Sequence, residues 1–237
     1  MRRTIARSRT ARDTVAMTET PSSPFPNFWL FPAAILAGVT FWGASHWGLS
    51  GAPFVLWKGI CVGLLTLCAG LAARERNGWL LTALLALGTL GDVVLETSGI
   101  VIGGVAFLAG HLVSILLYLS NRRKDGATVA IGIALAVPAI AFAITRDAGA
   151  TVYATGLGGM AGAAWYSRFP RTLVATGALM FAASDLLIFA ELGPLKDSIV
   201  PALTIWPLYL GGQILIAYGV LRTLEVRKRN EDLHHRL

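Results

Sequence analysis

Two aspartates stand inside long apolar stretches of the sequence, where an ionised side chain is costly. Asp92 lies within residues 90–95 (LGDVVL) and Asp185 within residues 183–188 (ASDLLI). A charge at the centre of a bilayer costs about 2.5–3.5 kcal/mol, so an acidic residue kept there usually marks function. Two carboxyls in a low-dielectric site can divide acid and base roles, because burial and mutual repulsion keep one protonated while the other is ionised. The pair therefore predicts an active site among membrane-spanning helices.

The apolar stretches contain further polar side chains besides the two aspartates. They are Lys58, Glu96, His111, Ser114, Ser184, Tyr209 and Gln213. With depth counted at 1.5 Å per residue from the predicted helix ends, Lys58, Asp92 and Asp185 each lie about 21 Å deep. His111 and Gln213 each lie about 13 Å deep. Five helices are thus predicted to direct one polar side chain each into a common cavity.

Most of these residues also have a structural explanation, and Glu96, near the outer end of its helix, is expected to be solvated. A single aspartate can bond a neighbouring helix, Lys58 can be its counter-ion, and His111 can be a core histidine. Gln213 and Ser184 belong to the types that often join helices through hydrogen bonds. The apolar stretches hold no convincing set of metal ligands, and no cofactor is expected.

The composition is that of a membrane protein. The chain has 237 residues, of which 55% are hydrophobic and only 14% are charged, whereas a soluble domain carries about 25% charged residues. Mean hydropathy is +0.64, and apolar stretches long enough to cross a ~30 Å hydrocarbon core recur along the chain. The sequence predicts an all-α polytopic protein with about eight transmembrane helices. They are placed at residues 28–46, 53–72, 78–96, 101–120, 127–145, 150–167, 172–191 and 199–222.

The distribution of cations predicts the topology. All but three of the 20 lysines and arginines fall in the N-terminal arm, in alternate loops or in the C-terminal tail; the three are Lys58, Arg146 and Lys196. By the positive-inside rule, both termini are expected in the cytoplasm. Residues 1–27 are expected to form a disordered basic arm, 28–222 the transmembrane domain and 223–237 a charged cytoplasmic tail. The net charge of +7 is explained by topology and anionic headgroups, so no nucleic-acid partner is expected.

The two aspartate segments also resemble each other, and they are four predicted helices apart. Both helices would run in the same direction, as a parallel four-plus-four duplication requires. The similarity extends over only six residues. The duplication is a hypothesis.

Four short motifs, taken in order, resemble those of the bacterial YhhN-like and animal lysoplasmalogenases. They are LGDVVL at 90–95, FLAGH at 107–111, GALMFAASD at 177–185 and YLGGQ at 209–213, and the resemblance covers nearly all of residues 30–222. The sequence departs from the family pattern at Gly59, where a proline is expected after Lys58, and at Ser114, where a tyrosine often follows the histidine.

The resemblance implies a membrane hydrolase that cleaves the vinyl ether bond of lysoplasmalogens, in a bacterial inner membrane. It implies that Asp92 and Asp185 are the acid and the stabilising anion, in either order, and that His111 handles water. Lysophospholipid would be the partner, with Tyr209 and Gln213 bonding its glycerol. Lys58 would face the headgroup phosphate or pair with an aspartate, and Ser114 and Ser184 are expected beside the substrate.

Two other classes of protein share some of these features. Intramembrane aspartyl proteases also use paired aspartates, although the Gly-x-Gly-Asp element would need one residue fewer between Gly88 and Asp92, and the second aspartate lies four spans away. A proton-coupled transporter can also use buried Asp, Lys and His as a relay. A transporter moves its solute unchanged, whereas a hydrolase releases aldehyde from lipid in detergent.

Overall fold

The computed structural model describes residues 25–234, which form an α-helical bundle without a β-strand in that range. The helices are α1 Leu30–Ser45, α2 Ala52–Ala72, α3 Arg76–Ser98, α4 Ile100–Ser120, α5 Ala127–Thr145, α6 Ala148–Tyr166, α7 Thr176–Glu191 and α8 Ile199–His234. A π-helical turn, Arg171–Ala175, leads directly into α7. Each predicted span corresponds to one of these helices. The prediction of an all-α polytopic membrane protein is confirmed.

Six of the helices in residues 25–234 are long and apolar enough to cross a membrane: α2, α3, α4, α5, α8 and α7 with its π-helical turn. Helix α1 is apolar but only 16 residues long. Helix α6 is less apolar because alanine and glycine dominate its sequence, AGATVYATGLGGMAGAAWY, and much of its length is buried. A helix enclosed by other helices needs small residues for close packing more than it needs lipophilic ones.

Helices α5 and α6 approach each other closely at Gly158. A Cβ atom added to Gly158 would lie 2.8 Å from the backbone oxygen of Ala134 and 3.0 Å from the Cβ of Val137. Because the obstacle is backbone, it cannot rotate away. Gly158 is therefore a contact point between the two helices.

We expect Gly158→Ala to lower the apparent melting temperature of the detergent-purified protein by at least about 3 °C, since overpacking costs about 1–3 kcal/mol. Gly132→Ala on α5 is the matched control, because a Cβ at Gly132 would meet nothing within 4 Å. It should leave the melting temperature unchanged or raise it slightly, as alanine favours a helix. An equal fall in both variants would contradict the close approach.

Two predicted boundaries differ from the structure. An arm was predicted for residues 1–27, of which residues 1–24 lie outside the described residues. Phe25, however, is buried, and the centre of its ring lies 5.3 Å from that of Phe31 and 5.8 Å from that of Tyr218. The packed domain therefore includes Phe25. At the other end, α8 continues past residue 222 to His234. Its extension carries helix-forming Glu, Lys and Arg residues and an ion pair of 3.6 Å between Glu225 and Arg229.

Helices α3 and α7, which carry the two aspartates, each pack against the helix that follows them. This is one feature that the two halves have in common. The four-plus-four duplication stays a hypothesis.

Candidate active site

Each of the two aspartates accepts a hydrogen bond from a tyrosine on another helix. The Tyr209 hydroxyl on α8 donates to Asp92 Oδ2 on α3 at 2.7 Å, and the Tyr153 hydroxyl on α6 donates to Asp185 Oδ2 on α7 at 2.5 Å. Asp92 is 3% exposed and Asp185 is 7% exposed. In both carboxyls, Oδ1 accepts no hydrogen bond from residues 25–234. The bundle thus holds two buried Tyr–Asp pairs. In each pair, one carboxyl oxygen accepts no hydrogen bond from this part of the chain.

A chain of aromatic contacts connects the two Tyr–Asp pairs. The ring centroid of His111 lies 5.3 Å from that of Tyr153 and 5.3 Å from that of Phe181. The Phe181 ring in turn lies 5.1 Å from the Tyr209 ring. Two intervening side chains therefore bridge the two tyrosines. The pairs belong to one region of the bundle, which is walled by rings.

The Gly91 position explains how an aromatic ring comes so close to the Asp92 helix. A Cβ atom on Gly91 would lie 2.9 Å from three carbons of the Phe107 ring. The absence of a side chain lets α4 place Phe107 flat against α3, where it also packs 5.9 Å from the Tyr209 ring. The glycine before Asp92 thus leaves room for the Phe107 ring beside the aspartate.

A small internal cavity adjoins this wall on the side of His111. Its lining includes Gly88, His111, Ser114, Phe181 and Gln213, and the centre of a water molecule can occupy about 10 Å³ of it, which is room for about one water molecule. Both ring nitrogens of His111 and Oε1 of Gln213 are buried without a hydrogen-bond partner among residues 25–234. Buried polar atoms are normally hydrogen-bonded. These three atoms are therefore available to a water molecule or to a substrate hydroxyl.

Lys58 does not pair with an aspartate. Its Nζ lies 2.6 Å from Glu96 Oε1, and the Lys58 and Glu96 side chains are 14% and 35% exposed. The pairing arises because Glu96 lies about one turn beyond Asp92 on α3, nearer the helix end. The sequence-based alternative of a Lys58–aspartate pair was wrong in this respect. The expected contact with a phosphate stays a prediction.

The two serines are both buried, but they differ in their contacts. Ser114 Oγ donates to the backbone oxygen of Gly110 at 2.8 Å, within its own helix. Ser184 Oγ is buried without a partner among residues 25–234. Ser114 lines the cavity. Ser184 directly precedes Asp185 in the sequence. Their expected roles beside a substrate stay predictions.

Tyr153 is the side chain at this site that sequence reasoning missed. It lies close to the predicted start of its span, where a tyrosine is by default an interfacial residue. The signal available was the run of small residues around it on α6, which indicates a helix inside the bundle and hence an inward-facing tyrosine. Within residues 25–234, no group of three or more His, Cys, Asp or Glu side chains is arranged to hold a metal ion.

A comparison with protein families supports one match. The model of the YhhN family matches residues 54–220, which include all the site residues described above. No match was found among curated proteins or among solved structures.

Proposed function

The chain belongs to the YhhN family, and on that premise we propose that it is an intramembrane hydrolase cleaving the vinyl ether bond of a lysoplasmalogen or a related lysolipid. The single observation that carries the proposal is the presence of two buried Tyr–Asp pairs joined by aromatic rings. Water is the second reactant. The products are a fatty aldehyde and a glycerol that keeps its phosphate headgroup.

The reaction begins with a proton transfer from a carboxylic acid to the vinyl carbon β to the ether oxygen. The positive charge that results is shared between the neighbouring carbon and the oxygen. Water adds to that carbon and loses a proton, which gives a hemiacetal. The hemiacetal then breaks its bond to the glycerol oxygen, which takes up a proton as the aldehyde leaves.

Two carboxyls suit this sequence because it needs an acid at one point and an anion near the cation at another. In this proposal one of Asp92 and Asp185 is the acid and the other stabilises the cation. The hydrogen bond from a tyrosine fixes Oδ2 of each carboxyl, so that Oδ1 is the oxygen that faces the substrate. The faces of aromatic rings attract cations, and we propose that the rings of Phe181 and Phe107, which pack against Tyr209, face the developing charge.

His111 is proposed to handle the water. Its ring nitrogens have no partner among the described residues, and His111 lines a cavity with room for about one water molecule. Gln213 lines the same cavity and is proposed to bond either the water or the glycerol of the substrate. The Tyr209 hydroxyl already donates its hydrogen bond to Asp92. In its proposed contact with glycerol, the Tyr209 oxygen would therefore accept a hydrogen bond from a glycerol hydroxyl.

The remaining proposals concern the substrate and the membrane. The Lys58–Glu96 pair is more exposed than the aspartates, and we propose that Lys58 meets the phosphate of the incoming lysophospholipid. The lipid bilayer supplies this substrate. Under the positive-inside rule, the arginine-rich end of the bundle faces the cytoplasm of a bacterial inner membrane.

The test is aldehyde release by the detergent-purified protein from a lysoplasmalogen. The saturated alkyl-ether lysolipid of the same chain length is the matched control, because it lacks the vinyl carbon that takes the proton. We expect aldehyde from the first lipid only. If the folded protein releases none from any vinyl ether lysolipid, while liposomes containing it take up a labelled solute unchanged, the hydrolase proposal fails in favour of transport. Cleavage of a peptide without aldehyde release would instead indicate a protease.

A further inference from the structure

A second pocket lies at the arginine-rich end of the bundle, away from the aspartates. It has a volume of about 510 Å³ and is lined by Leu119, Ser120, Asn121, Arg122, Arg168 and Arg227. We call it the arginine pocket. Asp92 lies about four helical turns from this end of α3, and Asp185 lies about four turns from the start of the π-helical turn that leads into α7. The arginine pocket shares no lining residue with the cavity at His111.

Backbone contacts between two loops form the frame of the arginine pocket. The amide of Arg168, between α6 and α7, donates to the oxygen of Asn121 at 2.7 Å, and the amide of Arg123 donates to the oxygen of Tyr166 at 2.9 Å. Arg122 and Ser167 form an antiparallel bridge between these contacts. The loops are thus joined to each other, and each supplies one arginine to the pocket.

The arginine side chains are positioned by neutral groups. Arg168 Nε donates to the backbone oxygen of Arg122 at 3.0 Å, and Arg227 Nη1 on the extension of α8 donates to Asn121 Oδ1 at 3.1 Å. The Arg227 guanidinium also lies 5.6 Å from the centre of the Phe169 ring. Within residues 25–234, none of the three pocket arginines has an ion pair. Three positive charges therefore line one pocket, and none of them forms an ion pair with a carboxylate of this part of the chain.

An apolar track runs from the arginine pocket along the outside of α4. Leu112, Leu116 and Leu119 are 58%, 47% and 42% exposed, and their spacing places them on one face of the helix. Leu119 itself lines the pocket. A molecule with an anionic head in the pocket could thus lay an apolar chain along α4.

We propose that the arginine pocket binds the phosphate group of an anionic phospholipid, whose acyl chain lies along the α4 track. The planar guanidinium groups suit phosphate because several N–H groups can bond its oxygens at once. Headgroups lie at the ends of membrane-spanning helices, where basic pockets are known to hold anionic lipids. The proposal does not depend on the hydrolase activity, since the pocket contains none of the proposed catalytic residues.

The experiment measures binding of phosphatidylglycerol, phosphatidylcholine and inorganic phosphate to the full chain in detergent, by native mass spectrometry and by the shift in melting temperature. The variants are Arg122→Gln, Arg122→Lys and the control Lys124→Gln. Lys124 lies in the same loop and outside the pocket lining, so its substitution removes the same charge without altering the pocket.

We expect phosphatidylglycerol to bind at least about tenfold more tightly than phosphatidylcholine, and Arg122→Gln to lose about tenfold in that affinity. Arg122→Lys should retain part of it, and Lys124→Gln should stay within about twofold of the wild type. Arg122 makes no side-chain hydrogen bond within residues 25–234, so its loss should leave the melting temperature without lipid unchanged.

Three results separate the interpretations. If inorganic phosphate binds and depends on Arg122 while the lipid does not, the pocket is a phosphate site supplied from solution, and the lipid source is wrong. If Arg122→Gln and Lys124→Gln weaken lipid binding equally, the attraction is general to the charged face and the pocket proposal is overturned. Equal binding of both lipids together with no binding of phosphate overturns it as well.

Discussion

Replacing either Asp92 or Asp185 by asparagine is expected to reduce aldehyde release at least about 10²-fold, the lower end of what acid–base catalysis contributes. An amide neither donates the proton that the vinyl carbon needs nor carries the negative charge that stabilises the cation. Asparagine keeps the size of the side chain, and its Oδ1 can still accept the tyrosine hydroxyl. The fold should therefore survive the change, and the loss should appear in kcat.

The measurement compares initial rates of wild type and both variants at equal concentration, with melting curves to establish that each is folded. Asp232→Asn is the matched control, because Asp232 is exposed on the extension of α8 and should keep full activity. Activity that survives both substitutions would make the aspartates structural. Loss in only one variant would show a single acid and contradict a division of roles between the two.

The positions of the helices followed from hydropathy because lipid demands long apolar stretches, whatever the details of packing. The predicted span at 127–145 coincides with α5, and the others differ by a few residues at their ends. The largest difference is at α8, because its charged continuation is too polar for a span but still favourable as a helix. Hydropathy identifies the part of a helix that can lie in the membrane, but it does not identify where the helix ends in water.

The site was predictable as far as intramembrane polarity could identify it. Asp92, Asp185, His111 and Gln213 were found because each is an expensive residue in an apolar helix, and all four are buried in the structure. Their hydrogen-bond partners were not predictable in the same way. Whether Lys58 reaches an aspartate or Glu96 depends on a single helical turn, and Tyr153 acquires its importance only when α6 is packed beside α7.

The hydrogen bonds at the site pair each tyrosine with one aspartate, so the effect of each tyrosine is expected to depend on its own partner. Tyr209 contacts Asp92 and Tyr153 contacts Asp185, so each hydroxyl should act through its own carboxyl alone. A tyrosine that merely fills space would affect activity regardless of which aspartate is present. Combining substitutions distinguishes these possibilities, because the effects of residues that act as a unit are not additive.

We expect Tyr153→Phe to reduce aldehyde release by about 10-fold to 10²-fold, since a hydrogen bond to a charged group contributes about 1.5–3 kcal/mol. Added to Asp185→Asn, the same change should cost little more, because the carboxyl that the hydroxyl positions is already absent. Added to Asp92→Asn, it should cost its full factor. The mirror pattern is expected for Tyr209→Phe, which should be silent beside Asp92→Asn and fully costly beside Asp185→Asn.

Tyr118→Phe is the control for removing a buried hydroxyl from this bundle. The Tyr118 oxygen has no hydrogen-bond partner among residues 25–234, so its removal should change neither activity nor stability by much. Equal factors for Tyr153→Phe in both aspartate backgrounds would refute a positioning role through Asp185 and make the tyrosine a packing residue. A large effect of Tyr118→Phe would show instead that the bundle does not tolerate the loss of any buried hydroxyl, and the two-pair interpretation would then have no support from the tyrosine variants.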